Sequence, residues 1–268
     1  RARVPLLAVI KADGYGLGAV RVARALEPLE PWGFGVATVA EGIELRDAGV
    51  SRPILVLSPV LPDEYQALRT AKLRPSLGSA NAISRWAAEG GGPWHLSIDT
   101  GMNRAGMRWT DVASIHDLLR AHVPEGAYTH FHSADTDNES VREQVRRFRC
   151  VLDALPARPR FLHAENSPAI ERSERSPWDL ARPGVFLYGV GGGSGATMAP
   201  EPVVHLRARV IDLRTVDDGE TVSYGATWRA AGRRSIATLG IGYADGYRRA
   251  LSNRGVALVR GKRVPIAG

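Results

Sequence analysis

The sequence predicts an α/β fold: a (β/α)8 TIM-type barrel followed by a partial, mainly β C-terminal domain. Three observations predict it. Short apolar runs alternate with longer amphipathic ones from residue 1 to about 190, which is the pattern of a parallel sheet wrapped by helices. Eight such units suit a closed barrel better than an open sheet. After Tyr188-Gly189 the run Gly191-Gly192-Gly193-Ser194-Gly195, followed by Pro200 and Pro202, ends the alternation, and the remainder has β character. The expected domains are a barrel over 1–190, a linker over 191–201 and a partial β-rich domain over 202–268.

The first strand is the apolar run Pro5-Leu6-Leu7-Ala8-Val9-Ile10, short enough and bounded well enough to be a buried strand. It delivers Lys11 to the mouth of the barrel, where a lysine amine is placed for a Schiff base or for proton transfer. The segment Ala12-Asp13-Gly14-Tyr15-Gly16-Leu17-Gly18 comes next, and its glycines let backbone approach a bound group. Further strands are expected near 33–38, 53–58, 73–78, 94–99, 126–132, 159–165 and 181–188. Helical segments lie at 20–26, 40–49, 80–88, 112–121 and 139–155, with Gly49 closing the second of them. In the second domain, 203–211 and 234–240 read as strands, Asp217-Asp218-Gly219-Glu220 as a turn, and 256–266 as a hairpin around Gly261.

Composition narrows the function. Hydrophobic residues make up 44% and charged residues 24%, as in ordinary globular proteins. No apolar run approaches the roughly 20 residues of a membrane helix, so no membrane partner is expected. The net charge of +7 suits nucleic acid or an anionic cofactor. The arginines are scattered, in short pairs such as Arg146-Arg147 and Arg248-Arg249, with no basic stripe carrying aromatics. Nucleic acid is therefore not an expected partner. Cys150 is the only cysteine; it excludes an internal disulfide and a multi-cysteine metal site, and it fits a reducing compartment. No metal is expected.

In a barrel of this kind the active site lies at the C-terminal ends of the strands. Those ends carry Lys11, Asp99-Thr100-Gly101-Met102-Asn103-Arg104, Thr129-His130-Phe131-His132, Asn166-Ser167 and Arg182-Pro183-Gly184. Each has an ordinary reading: Arg104 as a surface ion pair, His130 as a satisfied core histidine, Ser167 as a helix cap before Pro168. Converging on one face, these cations, hydroxyls and glycines suit a phosphorylated, anionic ligand attached to a lysine. The spacing Gly14-x-Gly16-x-Gly18 does not match the dinucleotide fingerprint, and the second strand ends at Ala37-Thr38 without the acid that fingerprint needs.

The stretch Ala8-Val9-Ile10-Lys11-Ala12-Asp13-Gly14-Tyr15-Gly16 resembles the pyridoxal-phosphate attachment motif of alanine racemases. The similarity runs on through Gly35-Val36-Ala37-Thr38, Asp99 to Gly106, Tyr128-Thr129-His130-Phe131, His163-Ala164-Glu165-Asn166-Ser167, Ala181-Arg182-Pro183-Gly184-Val185, Val222-Ser223-Tyr224-Gly225-Ala226-Thr227 and Gly240 to Gly246. The resemblance implies a pyridoxal 5'-phosphate enzyme that interconverts L- and D-alanine and supplies D-alanine for peptidoglycan. Lys11 would hold the cofactor and act as one base. Tyr224 would be the opposing base, reaching the site of the partner subunit in a cytoplasmic bacterial homodimer. Arg182 would face the pyridine nitrogen, supported by His163, and His130 would link that arginine to the partner tyrosine. Arg104 would meet the cofactor's phenolic oxygen and the substrate carboxylate. Tyr15, Ser167 and the backbone of Gly184 and Val185 would hold the phosphate.

Ser97 stands where many members of the family have a lysine that becomes carbamylated and supports the counterpart of Arg104. Leu17 and Glu165 also replace more usual residues. The resemblance places a preceding strand, a Met-Asp carboxylate-binding segment and a further phosphate tyrosine outside residues 1–268, so the sequence is expected to be a copy trimmed at both ends. Two alternatives share the fold. One is a racemase of serine, lysine or a broad range of amino acids. The other is a non-catalytic pyridoxal-phosphate-binding barrel, against which Tyr224 in a second β domain argues.

Overall fold

Runs such as Ile54-Leu55-Val56, buried on both faces, make strands that must be covered on each side, as in a parallel sheet wrapped by helices. The computed structural model describes residues 2–191, 193 and 196–268. They fall into two units, Arg1–Val204 and His205–Gly268. The linker expected at 191–201 falls in part on residues 192, 194 and 195, outside the described residues.

In the first unit the strands are β1 (Leu7–Val9), β2 (Gly33–Val36), β3 (Ile54–Pro59), β4 (Arg74–Leu77), β5 (His95–Asp99), β6 (Met107–Arg108), β7 (Gly126–Tyr128) and β8 (Phe161–His163). They pair in parallel in the order β1-β2-β3-β4-β5-β7-β8, with β6 on β5 alone. Residues 179–183 carry the ring round. On one side Asp179 and Leu180 donate to the Leu162 carbonyl, and on the other Leu7 donates to Ala181 and Val9 to Pro183. The strand expected at 181–188 stops at that point, because Pro183 has no N–H for a ladder and the chain turns at Gly184 into a one-turn helix, Val185–Tyr188.

The helices are α1 (Lys11–Gly16), α2 (Ala19–Leu26), α3 (Val39–Asp47), α4 (Tyr65–Thr70), α5 (Ala80–Ala88), α6 (His116–Ala121), α7 (Asn138–Ala154) and α8 (Ser167–Arg172). Short polar caps start several of them. Thr38, Ser79, Asp137 and Asn166 each accept a backbone N–H of the helix's first turn. Asn166, not Ser167, is therefore the cap of α8, which frees the serine hydroxyl. Between strands and helices lies an apolar core that includes Phe34, Leu45, Ile54, Leu68, Trp86 and Phe148.

The inside of the barrel is partly polar. Arg182 Nη1 lies 2.8 Å from His163 Nδ1, His163 Nε2 lies 2.8 Å from His95 Nδ1, and His95 Nε2 faces the Glu125 carboxylate at 3.5 Å. Arg74 binds the same carboxylate. A guanidinium can only donate, so each tautomer sets the next. His163 accepts at Nδ1 and donates from Nε2, and His95 accepts at Nδ1 and turns its Nε2–H toward Glu125. Burial, reinforced by Arg182 and His95, holds His163 well below the ordinary histidine value. Burial also lowers His95, although Glu125 opposes it. Burial would raise Glu125, but the neighbouring His95 imidazole and the Arg74 guanidinium hold it down at about 2. Gly126 makes room for this row, since a Cβ there would lie 2.4 Å from His95 Nδ1.

The second unit contains three two-stranded antiparallel sheets among the described residues. β9 (Val210–Val216) pairs β12 (Arg234–Leu239), β10 (Thr221–Val222) pairs β11 (Trp228–Arg229), and β13 (Val256–Val259) pairs β14 (Lys262–Pro265) around Gly261. The strand expected at 203–211 lies further on. Residues 203–209 are not in a strand, because the partner strand β12 offers its register only to Val210–Val216. Among the described residues no helix is long and apolar enough to cross a membrane.

Stability should fall with acid in two stages. Histidines kept neutral by the fold bind fewer protons than in the unfolded chain, so loss begins as pH drops through their ordinary value near 6.5. The Glu125 contribution is present above 4.5 and is lost as pH falls toward about 2; for this mostly buried carboxylate it is on the order of 3 kcal/mol. Urea midpoints across pH should show Glu125→Gln well below wild type at neutral pH, with the gap closing below about pH 4.5. A gap that does not depend on pH would contradict this account.

Candidate active site

Lys11 leaves β1 and enters a turn of unusual hand. Ala12, Asp13, Gly14 and Tyr15 have φ of 51°, 51°, 61° and 55° and ψ of 52°, 50°, 41° and 35°. They form a left-handed helical turn in which only one residue is glycine. Each non-glycine residue costs roughly 1–2 kcal/mol there, so the surroundings must hold the turn in place. Gly14 N–H donates to Ile10 O, and Gly18 N–H to Asp13 O, both at 2.9 Å. The Asp13 carboxylate accepts Ala19 N–H at 2.7 Å. From outside the turn, Glu41 accepts Ala12 N–H at 2.7 Å. Tyr188 packs against Tyr15 at a 34° tilt with ring centres 4.5 Å apart, and its hydroxyl donates to Val9 O. The glycine at 14 is needed because a Cβ would lie 2.9 Å from Val22 Cγ2, a reason of packing and not of ligand approach.

Lys11 and Tyr15, one turn apart, both line a cavity of about 500 Å³ at the C-terminal ends of the strands. Arg104, His130, Ser167, Arg182, Gly184 and Val185 line it too. All the residues expected at the site in the first unit therefore meet here, except His163. That residue lies fully buried behind Arg182 and bonds to it. Tyr224 belongs to the second unit, where it is 79% exposed and comes directly after a Ser223 held at φ 67°.

Arg182 is the buried cation of the site. Besides His163, its Nη2 donates to Thr129 O at 2.7 Å, Ala164 O at 3.1 Å and His130 Nδ1 at 3.2 Å. Its Nε–H has no partner among the described residues. Burial lowers Arg182 to about 10, opposed by Tyr128 and Glu165, so it remains charged at neutral pH. Glu165 is itself buried, and its Oε2 has no hydrogen-bond partner among the described residues. Burial, followed by the charges of Arg182, Arg104 and Lys11, pushes His130 down to about 3. His130 is thus a neutral imidazole with its proton on Nε2.

A second group of donors surrounds Gly184. Ser167 Oγ accepts the N–H of Gly184 at 2.8 Å and of Phe186 at 3.3 Å, which leaves its own O–H to donate. The Val185 N–H has no partner among the described residues. A Cβ at Gly184 would lie 2.8 Å from the Tyr15 hydroxyl, so only glycine lets that hydroxyl come in. Burial raises Tyr15 above its ordinary value, which keeps it a donor. Three donors close together fit a phosphate, and the amine of Lys11 in the same cavity fits an aldehyde. The donor set therefore suits pyridoxal 5'-phosphate. Gly184 differs from expectation in one respect: its amide is engaged by Ser167, so it contributes room, not a hydrogen bond.

Arg104 rides on a loop shaped by Asp99, whose carboxylate accepts the N–H groups of Gly101 and Asn103. Ser97 lines the same cavity, and Arg104 has no ion-pair partner among the described residues. Four contributors escape the sequence motifs. His95 and Glu125 extend the support of Arg182. Gln144 of α7 holds Thr100 Oγ1, His130 O and His132 N. Glu41 holds the left-handed turn. The signals are present all the same: His95, Ser97 and Asp99 alternate along one strand face, and Thr38-x-x-Glu41 is a capping box.

Comparison with known proteins agrees with this geometry. The sequence profile of the alanine racemase N-terminal domain matches residues 1–191, and that of the C-terminal domain matches residues 203–268. The chain is 40% identical to an alanine racemase of Sorangium cellulosum over 276 residues, covering 97% of this chain and 73% of that protein. It is also 40% identical to one of Carboxydothermus hydrogenoformans over 274 residues, covering 97% and 74%. Among solved structures, alanine racemase from E. faecalis superposes with a TM-score of 0.88 at 34% identity, covering 97% of this chain and 74% of the other. The enzyme from Bartonella henselae, which has covalently bound pyridoxal phosphate, gives 0.88 at 27% identity, covering 100% and 77%. With both domain profiles matched in order and the identity spread over nearly its whole length, the chain belongs to the alanine racemase family.

Proposed function

We propose that this chain is a pyridoxal-phosphate-dependent alanine racemase that interconverts L- and D-alanine and supplies D-alanine for peptidoglycan. One observation carries the reading: Lys11, at the end of β1, shares a cavity with a buried arginine that can only donate and with a phosphate-sized set of donors around Gly184. When bound, pyridoxal 5'-phosphate would acidify the α-hydrogen of an amino acid joined to it.

Lys11 holds the cofactor and, once released, exchanges the α-proton at its Nζ. Tyr15, Ser167 and the Val185 N–H hold the phosphate. Arg182 would hold the pyridine nitrogen. Since it is fixed as a donor by His163 and is still charged near neutral pH, it does not accept a proton from the ring and does not readily give one up. Held by a donor of this kind, the cofactor would supply a weaker electron sink than one paired with a carboxylate, which suits proton exchange. Arg104 would hold the substrate carboxylate and the cofactor's phenolic oxygen. Tyr224 of a second copy serves as the opposing base, with His130 linking it to Arg182. Bases on both faces allow removal from one side and return to the other. This reading includes a homodimer, a cytoplasmic location and an amino acid as the small-molecule partner.

Two variants test it. Borohydride should fix cofactor to the wild-type chain and none to Lys11→Ala, whose D-alanine formation should fall by roughly a thousandfold or more. Cofactor that remains reducible on Lys11→Ala would sink the assignment. Tyr224→Phe should slow α-proton exchange by about a hundredfold from one enantiomer and much less from the other. Equal, small effects from both enantiomers would remove Tyr224 from the base role.

A further inference from the structure

Two strand ends at the cavity rim share one carboxylate. Glu41 Oε1 accepts the Ala12 N–H at 2.7 Å, just after Lys11, while Oε2 accepts the Ala37 N–H at 2.7 Å and the Thr38 N–H at 3.3 Å, just after β2. Thr38 Oγ1 accepts the Glu41 N–H in return. Half of this arrangement is a capping box that starts α3. The other half is not needed for capping. Among the described residues, Glu41 is the only side chain from another element that hydrogen-bonds the backbone of the left-handed turn.

That turn is uphill for Ala12, Asp13 and Tyr15, whose φ values are all positive. An outside acceptor on Ala12 N–H therefore adds to the internal hydrogen bonds that keep the chain after Lys11 left-handed. Relaxation would change the path of the backbone between Lys11 and Tyr15, and with it the relative placement from which both side chains line the cavity.

We infer that Glu41 is a positioning residue that locks the left-handed turn and so presents Lys11 and Tyr15 together to the cofactor. The inference rests on the reading of Lys11 as the cofactor lysine. Glu41 touches no reacting atom, and its effect is transmitted through Ala12.

The test uses the full chain as wild type, Glu41→Gln, Glu41→Gln with Ala12→Gly, and Lys11→Ala. Glutamine still caps α3, but its amide sets an N–H against either Ala12 or Ala37. Glycine at 12 adopts the left-handed conformation without a Cβ penalty. The readouts are the dissociation constant for pyridoxal 5'-phosphate by titration, the amount fixed by borohydride, and the urea midpoint. Glu41→Gln should bind the cofactor about tenfold more weakly, with a urea midpoint near that of wild type. The double variant should regain most of that affinity. Wild-type affinity in Glu41→Gln, or a loss that Ala12→Gly does not restore, overturns the inference. If Glu41→Gln shows no cooperative unfolding, Glu41→Asp replaces it under the same criteria; its shorter carboxylate cannot reach both amides. A Lys11→Ala chain that still fixes cofactor would instead overturn the lysine assignment, a result separate from those of the Glu41 variants.

Discussion

A buried guanidinium governs this site. Arg182 sits at the mouth of the barrel, charged and unable to accept a hydrogen bond. Everything it touches must supply lone pairs, and the structure provides the carbonyls of Thr129 and Ala164 and one nitrogen each from His130 and His163. Those demands set the tautomers of His130, His163 and His95 and reach Glu125 and Arg74 on the far side of the barrel. Unpaired, such a cation would be costly to bury. Paired in this way it holds a fixed orientation, and its Nε–H is left for a group entering the cavity.

The left-handed turn is the second constraint, and the two complement each other. Arg182 is held by its side-chain partners, whereas Lys11 is aimed by its backbone. A lysine side chain has many rotamers, so fixing its base matters more than fixing its tip. The turn does this with an internal ladder, an aspartate at its end, an aromatic ring beneath Tyr15 and the carboxylate of Glu41. Ser167 plays a similar part on the phosphate side, where accepting two amides orients its one hydroxyl hydrogen.

Much of this is legible in the sequence. Apolar runs bounded by turn residues mark the strands of the barrel, and cations clustered at the strand ends mark the cavity. The features that stay hidden have physical causes. A left-handed turn of Ala-Asp-Gly-Tyr has no compositional mark, because tertiary hydrogen bonds and not residue preference hold it. Glu41 reads as a helix cap because one of its oxygens is a cap; the other bonds a residue 29 positions away. His95 sits among Trp94, Leu96 and Ile98 and looks like an ordinary strand residue until its partner across the barrel is known. The segment 203–211 is apolar enough to qualify as a strand, but a strand needs a partner, and β12 pairs only with residues 210–216.

The row of imidazoles under Arg182 has a consequence for proton traffic. A chain of hydrogen-bonded histidines can act as a proton wire if both ends are able to trade a proton. Here one end is a guanidinium that does not readily release one, and the other is a carboxylate held down at about 2 by His95 and Arg74. The wire is blocked at both terminals. The row therefore serves to orient Arg182 from beneath and offers the cavity no proton relay of its own.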